Sequence, residues 1–216
     1  WQKLIRVLTH EIMNSITPII SLSETLSERG IPSQLGEKEY SVMLQAMQTI
    51  HRRSKGLLEC VENYRRLTRI PAPIRTQISI AELFTDLKKL FPEEEFQFEV
   101  PSPELKLNVD RTQIEQILIN LLKNAREACS RKSDKKIQVK ARKLSAGNTT
   151  LTISDNGEGI LPDVLDKIFV PFFTTKTSGS GIGLSLCKQI MTLHEGSINV
   201  KSEVGKGSSF ILTFPK

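Results

Sequence analysis

The chain has 216 residues, 38% hydrophobic and 25% charged, a balance that argues against disorder and for one or two domains with buried cores. Its net charge of +6 is mild and spread out, without the Lys/Arg clusters interleaved with aromatics that mark a nucleic-acid face. No run of 18 apolar residues is present, which argues against a membrane-spanning helix.

Residues 1–69 predict helix, turn, helix. One apolar seam runs Trp1, Ile5, Leu8, Ile12, Ser15, Ile19, Leu22, Leu26; a second runs Tyr40, Met43, Met47, Ile50, Ser54, Leu57, Val61, Tyr64. Steps of 3 and 4 alternate in both, the rhythm of coiled-coil or bundle packing. Gly30, Pro32 and Gly36 separate the helices. Two helices bury little alone, so a dimeric four-helix bundle is the expected completion. With Ile5 and Ile12 at a and Leu8 at d, His10 falls at f, facing away from the seam. Glu11 follows it and could draw a proton from the ring; Asn14 lies one turn on, and Pro18 should bend the helix beyond. A neutral imidazole is a competent nucleophile toward phosphorus.

Ile70-Pro71-Ala72-Pro73-Ile74 reads as a stiff linker. Beyond it the pattern changes to mixed strands and helices. Strands are expected over Phe96–Val100, Lys106–Val109, Lys136–Lys143, Thr149–Asp155, Ser197–Ser202 and Gly207–Phe214, and helices over Ile80–Leu90, Arg111–Cys129 and Ile182–His194. Cys60, Cys129 and Cys187 are far apart, odd in number and lack metal-site spacing. They read as small buried apolar residues in a reducing compartment.

Three segments of this second part carry chemistry. In the Arg111–Cys129 helix, Asn120 and Asn124 sit one turn apart among Ile and Leu, where their amides could ligate Mg²⁺ or contact phosphate. Asp155-Asn156-Gly157-Glu158-Gly159-Ile160 closes an apolar strand. A carboxylate there can accept from an adenine amino group, and the glycines let backbone approach the base. Gly179-Ser180-Gly181-Ile182-Gly183-Leu184 opens the last long helix, where amide N–H groups favour phosphate. It neither follows a strand nor spaces its third glycine as a dinucleotide fingerprint would. Phe169, Phe172 and Phe173 lie between, with Phe169 and Phe172 expected in a small satellite core. Thr174–Ser180 reads as a mobile cover over bound ligand, with Lys176 able to reach a phosphate.

Taken in order, these segments resemble the kinase core of a bacterial sensor histidine kinase, of the nitrogen-regulation type by His10-Glu11-Ile12, Asn14 and Thr17-Pro18-Ile19. The resemblance implies an all-α dimerising hairpin over 1–70, a linker at 71–77, and over 78–216 an α/β sandwich of the Bergerat type, a mixed sheet packed on three helices. It implies His10 as phosphoacceptor, Glu11 as its base and Asn14 as a water-positioning residue. It implies an ATP site formed by Asn120, Asn124, Asp155, Gly157, Gly159, Ile160, Thr175, Lys176, Gly179, Gly181, Gly183 and Leu184, with Mg²⁺ on Asn124 and Asn120. The phenylalanine box maps onto Phe169, Phe172 and Phe173. The expected activity is ATP-dependent autophosphorylation of His10 and transfer to an aspartate of a response regulator, with phosphatase activity toward that regulator as a further expectation.

The implied partners are a second copy of the chain and the receiver domain, with no nucleic acid. The chain opens on Trp1 without a signal peptide, so it is expected to be a cytoplasmic piece of a longer protein. Any membrane attachment would lie N-terminal to it. Ser15 and Met13 depart from the family pattern, where many relatives have proline and a basic residue, and Glu127 stands where some relatives have lysine or arginine. ATP-hydrolysing members of the wider superfamily place a glutamate one turn before the metal asparagine; here that place is Asn120, which favours transfer over hydrolysis.

Overall fold

The computed structural model describes residues 2–28, 36–99, 102, 104–145, 147–176 and 179–216, with backbone alone for 2–11, 27–28 and 66. The expected turn residues Gly30 and Pro32, the seam residue Trp1, the strand end Val100, and the side chains of His10 and Glu11 lie outside this set. The chain divides into two units, residues 1–69 and 70–216.

The first unit is a hairpin of α1 (Gln2–Glu28) and α2 (Glu37–Thr68), and α1 continues through Pro18. At the start of α2 the Glu39 carboxylate accepts from the Gly36 N–H at 3.2 Å, while Glu37 and Glu39 complement the helix dipole. Half-buried residues face across the hairpin: Ile12, Ser15, Ile19, Leu22 and Leu26 from α1, and Met43, Ala46, Ile50, Ser54, Leu57 and Cys60 from α2. The α2 seam therefore differs from the strict heptad reading. Met47 and Val61 are 55% and 48% exposed, and Ala46 and Cys60 take the inner places. A helix of 3.6 residues per turn drifts against a 3.5 repeat, and small side chains admit the closer approach.

The second unit begins with the segment before β1. Gln113 Nε2 donates to Pro71 O at 2.9 Å and the Ile74 N–H to Asp110 Oδ2 at 2.9 Å. Arg75 donates to Leu193 O and pairs with Glu195 at 3.0 Å. The elements that follow are β1 (Thr76–Ser79), α3 (Ile80–Leu90), β2 (Phe96–Glu99), β3 (Lys106–Val109), α4 (Arg111–Ala128), β4 (Ile137–Lys143), β5 (Thr149–Asp155), α5 (Pro162–Leu165), α6 (Gly183–Leu193), β6 (Ser197–Glu203) and β7 (Gly207–Phe214). A five-stranded sheet runs β2-β4-β5-β7-β6, with β2 parallel to β4 and the other pairs antiparallel. β1 and β3 form a separate antiparallel ribbon.

One sheet face is covered by helices, and the patterns explain it. β4 buries Ile137, Val139 and Ala141 in alternation, and β7 buries Phe210, Leu212 and Phe214. α4 buries Gln113, Ile114, Ile117, Leu118, Leu121, Leu122 and Ala125, the stripe of a helix against a sheet. Each fully buried Leu or Ile contributes about 1.5–3 kcal/mol by removal from water. Asp110 caps α4 by accepting the Gln113 N–H at 3.1 Å, and Ser79 caps α3. α4 thus runs as a rigid rod from its cap to the asparagines near its other end. Cys129 and Cys187 are buried as expected, whereas Cys60 is half-buried.

Candidate functional site

Asp155 ends β5 beside β7. Its Oδ1 accepts from the Gly157 N–H at 2.9 Å and the Ser208 N–H at 3.3 Å. Oδ2 has no partner among the described residues, so one oxygen is anchored and the other is left as an acceptor. The side chain is half-buried, and burial pushes its pKa above the ordinary carboxylate value against the pull of those two bonds.

The loop after Asp155 is fastened on three sides. The Glu158 N–H donates to Ala128 O at the end of α4, Gly205 N–H to Glu158 O, and Ile160 N–H to Ser202 Oγ at 2.8 Å. Asn156 Oδ1 accepts from the Lys136 N–H at 2.9 Å and its amide donates to Asp134 O, so this side chain builds the loop rather than the site. A Cβ on Gly157 would lie 2.7 Å from the Ala128 carbonyl. Gly159 has φ +74, and a Cβ there would run into the Glu203 carbonyl. Ile160 packs on the core.

Asn120 and Asn124 leave α4 toward different neighbours. Asn120 is braced by α6: its Nδ2 donates to Cys187 Sγ at 3.2 Å, and a Cβ on Gly183 would lie 2.5 Å from its Oδ1. Cys187 is deeply buried, which pushes its thiol pKa up to about 12 and keeps it a neutral packing partner. Asn124 Oδ1 accepts from Lys176 Nζ at 3.0 Å, and that ammonium also pairs with Glu127 Oε2 at 2.7 Å.

Gly181 has φ +68 and sits against the Phe172 backbone; its carbonyl accepts from the Phe172 N–H at 2.9 Å. α6 starts at Gly183 behind Ile182, which gives its first N–H groups no side-chain cap. Leu184 packs half-buried on the core, and Gly179 sits against Thr174 and Lys176. Thr175 is exposed. Phe169 packs on the core with Lys188 Nζ 5.6 Å over its ring. Phe172 is not part of that core; it is half-buried at φ 64, a turn residue strained to hold Gly181. Two cavities of about 500 and 430 Å³ open elsewhere in this unit, one beside Phe169 and Lys188 and one beside His194 and Lys106; neither is lined by Asp155 or Asn124.

Within the second unit the structure therefore sets Gly183 against Asn120 and Lys176 against Asn124, one turn apart on α4, and holds the loop after Asp155 to the C-terminal end of α4 through Gly157 and Glu158. In the first unit Asn14 is exposed on α1. Sequence reasoning missed Ser208, whose N–H anchors Asp155; Gly207, at φ +111, where a Cβ would strike the Asp155 carbonyl; Cys187; and Glu127 as the partner of Lys176. Gly207 carried a signal in the Gly205-Lys206-Gly207 turn, but nothing in the sequence aligns that turn with Asp155.

A family model described as "Histidine kinase-, DNA gyrase B-, and HSP90-like ATPase" matches residues 109–216. The sensor histidine kinase ZraS of Salmonella typhimurium is 31% identical over 213 residues, covering 95% of this chain and 44% of that protein. A putative NtrY-like sensor histidine kinase of Rickettsia conorii is 28% identical, covering 99% of this chain and 36% of its own length. The chain thus spans less than half the length of these curated relatives. Among solved structures, the catalytic domain of histidine kinase ThkA is 35% identical with a TM-score of 0.59, covering 66% of this chain and 95% of that one. ThkA in complex with the response regulator protein TrrA gives a TM-score of 0.62 at 27% identity, covering 99% of this chain and 61% of that one.

Proposed function

The chain belongs to the bacterial sensor histidine kinases, its second unit being a histidine kinase-, gyrase B- and HSP90-like ATPase domain, and we propose that it transfers the γ-phosphoryl group of ATP to His10. The observation that carries the ATP reading is Asp155: one oxygen is fixed by two backbone N–H groups, and the other remains open at the end of β5, able to accept from an adenine amino group. Gly157, Gly159 and Ile160 form the backbone floor beside it. Gly179, Gly181, Gly183 and Leu184 open α6, whose uncapped N–H groups and dipole suit phosphate oxygens; Thr175 and Lys176 add a hydroxyl and a charge.

Mg²⁺ fits this donor set. Asn124 Oδ1 already accepts from an ammonium, a cation in a metal's place, with a carboxylate next to it, and such hard oxygen ligands suit the ion. Asn124 would hold it, with Asn120 as a second ligand. The chemistry supplied by the bound ion is neutralisation of triphosphate charge.

In the transfer, the N–P bond to the His10 imidazole forms as the bond from the γ-phosphorus to the β–γ bridging oxygen breaks, and ADP leaves. Glu11 takes up the ring proton. Asn14 positions water or a phosphoryl oxygen. The phosphoryl group then passes to an aspartate of a response regulator, a partner that the ThkA–TrrA complex makes reasonable. Phosphatase activity toward that regulator belongs to the same proposal. The acting form is a homodimer. On α2 Tyr40, Leu44, Met47, Leu58 and Val61 are all exposed, and on α1 Met13 and Ile20; the α2 set falls on heptad places interrupted at His51 and Ser54, two apolar patches that a single hairpin leaves in water. Among the described residues no helix is long and apolar enough to cross a membrane.

Incubation with γ-labelled ATP and Mg²⁺ tests the reading. Acid-labile, base-stable label on the chain is expected, and none on His10→Gln. Label that persists in that variant rules out His10 as the acceptor.

A further inference from the structure

A carboxylate is out of place beside bound phosphate, because it repels the ligand. Glu127 nevertheless stands less than one turn beyond Asn124 on α4. Its Oε2 accepts from Lys176 Nζ at 2.7 Å, while the same ammonium donates to Asn124 Oδ1 at 3.0 Å. The backbone of Lys176 is aimed from its own side: its N–H donates to Thr174 Oγ1 at 3.0 Å, and Gly179 leaves the room for that turn, since a Cβ there would lie 2.7 Å from the Thr174 hydroxyl and 3.2 Å from Lys176 Cβ. The carboxylate thus makes sense as a partner for the lysine, not for the ligand.

We propose that Glu127 is a positioning residue that parks the Lys176 ammonium on Asn124 while no nucleotide is bound. This inference rests on the ATP reading above and adds a state to it. The ammonium keeps the cation seat charged and closed. On binding, the lysine leaves Glu127 for phosphate, and Asn124 Oδ1 becomes available to the metal. Free nucleotide therefore competes with the parked pair, and the measured affinity is lowered by the fraction of molecules parked. The two side chains are 36% and 55% exposed. An ion pair that open supports a lowering of roughly two- to five-fold, and less at high salt.

Calorimetric titration with Mg-ADP, which binds without phosphorylating the chain, reads this on Glu127→Gln, Lys176→Met and the double variant. Glu127→Gln is expected to bind Mg-ADP roughly two- to five-fold tighter, and the same change in the Lys176→Met background to do essentially nothing. An equal gain in both backgrounds would mean plain charge repulsion and overturns the parking, as does weaker binding by Glu127→Gln. An unaltered chain that takes up no Mg-ADP overturns the nucleotide site itself, a result distinct from either.

Discussion

Asp155 and Ser208 are register partners across β5 and β7, and the Ser208 N–H donates to Asp155 Oδ1 at 3.3 Å. A strand pair thus fixes the carboxylate at the end of β5. The N–H groups of Ser208 and Gly157 both reach the same oxygen, and together they set the orientation of the carboxylate.

The role proposed for Asp155 comes at a cost to the fold. Burial raises its pKa in the folded chain above the ordinary value of 3.8. The folded state then holds the proton more tightly than the unfolded state, so this group favours folding at low pH and loses that contribution as pH rises through the raised pKa. At neutral pH Asp155→Asn should therefore leave the melting temperature unchanged or slightly higher. The same variant removes the charged acceptor proposed for the adenine amino group, for an expected loss of about 1.5–3 kcal/mol, or tenfold or more in Mg-ATP affinity. For the unaltered chain, nucleotide affinity should fall with acidification at a higher pH than an ordinary carboxylate would give. Melting and calorimetry across pH check both; a variant that melts lower yet binds as before would contradict the role.

His194 carries a different load. It is 3% exposed, its Nδ1 faces Ile190 O at 2.9 Å, and its Nε2 accepts from the Asp110 N–H at 3.0 Å. These contacts fix the tautomer with the proton on Nδ1. The ring thus fastens the C-terminal end of α6 to the cap of α4. His194→Ala removes the acceptor from the Asp110 N–H and leaves a cavity, for an expected loss of about 2–4 kcal/mol by urea unfolding of the second unit. Asp110 itself is partly buried, which acts to raise its pKa, but the N–H groups of Ile74, Gln113 and Thr112 outweigh burial and hold it below the ordinary value. A depressed folded pKa stabilises above the unfolded value and is lost as pH falls through the folded one. Asp110→Asn keeps the cap but loses the charge, so it should destabilise at pH 7 by about 0.3–1 kcal/mol, a cost that shrinks as pH falls.

The second unit was legible in outline because its stripes are long. Eighteen residues of α4 and the alternating β4, β5 and β7 carry their periods unaided. Of the β1–β3 ribbon only β3, Lys106–Val109, was legible; the 4-residue β1 was not, nor was a pairing that spans about a quarter of the unit, because so short a strand shows no period. The 4-residue α5 escaped for the same reason. In the site, Asp155 and the glycines were readable as a motif. Glu127 was read only as a departure from a pattern, since its meaning depends on Lys176, which folding brings to it from 49 residues away.

The helical unit gives the last prediction. Apart from Leu67 near the end of α2, its described inner residues are only half-buried, and a row of apolar side chains stays in water, with Leu58 at 72% and Met47 at 55% exposure. Burying such a row in a second copy would recover roughly 1.5–3 kcal/mol for each large side chain fully covered, before the cost of association is met. Met47→Glu with Leu58→Glu should then turn a dimer into a monomer by sedimentation, because two charges would be taken out of water at the centre of the seam. Both substitutions lie on exposed positions of a helix that accepts glutamate well, so helix content should stay the same by circular dichroism. The second unit, with its own core, should keep its affinity for Mg-ADP. A double variant that sediments as a dimer would show that this row is not the contact between copies.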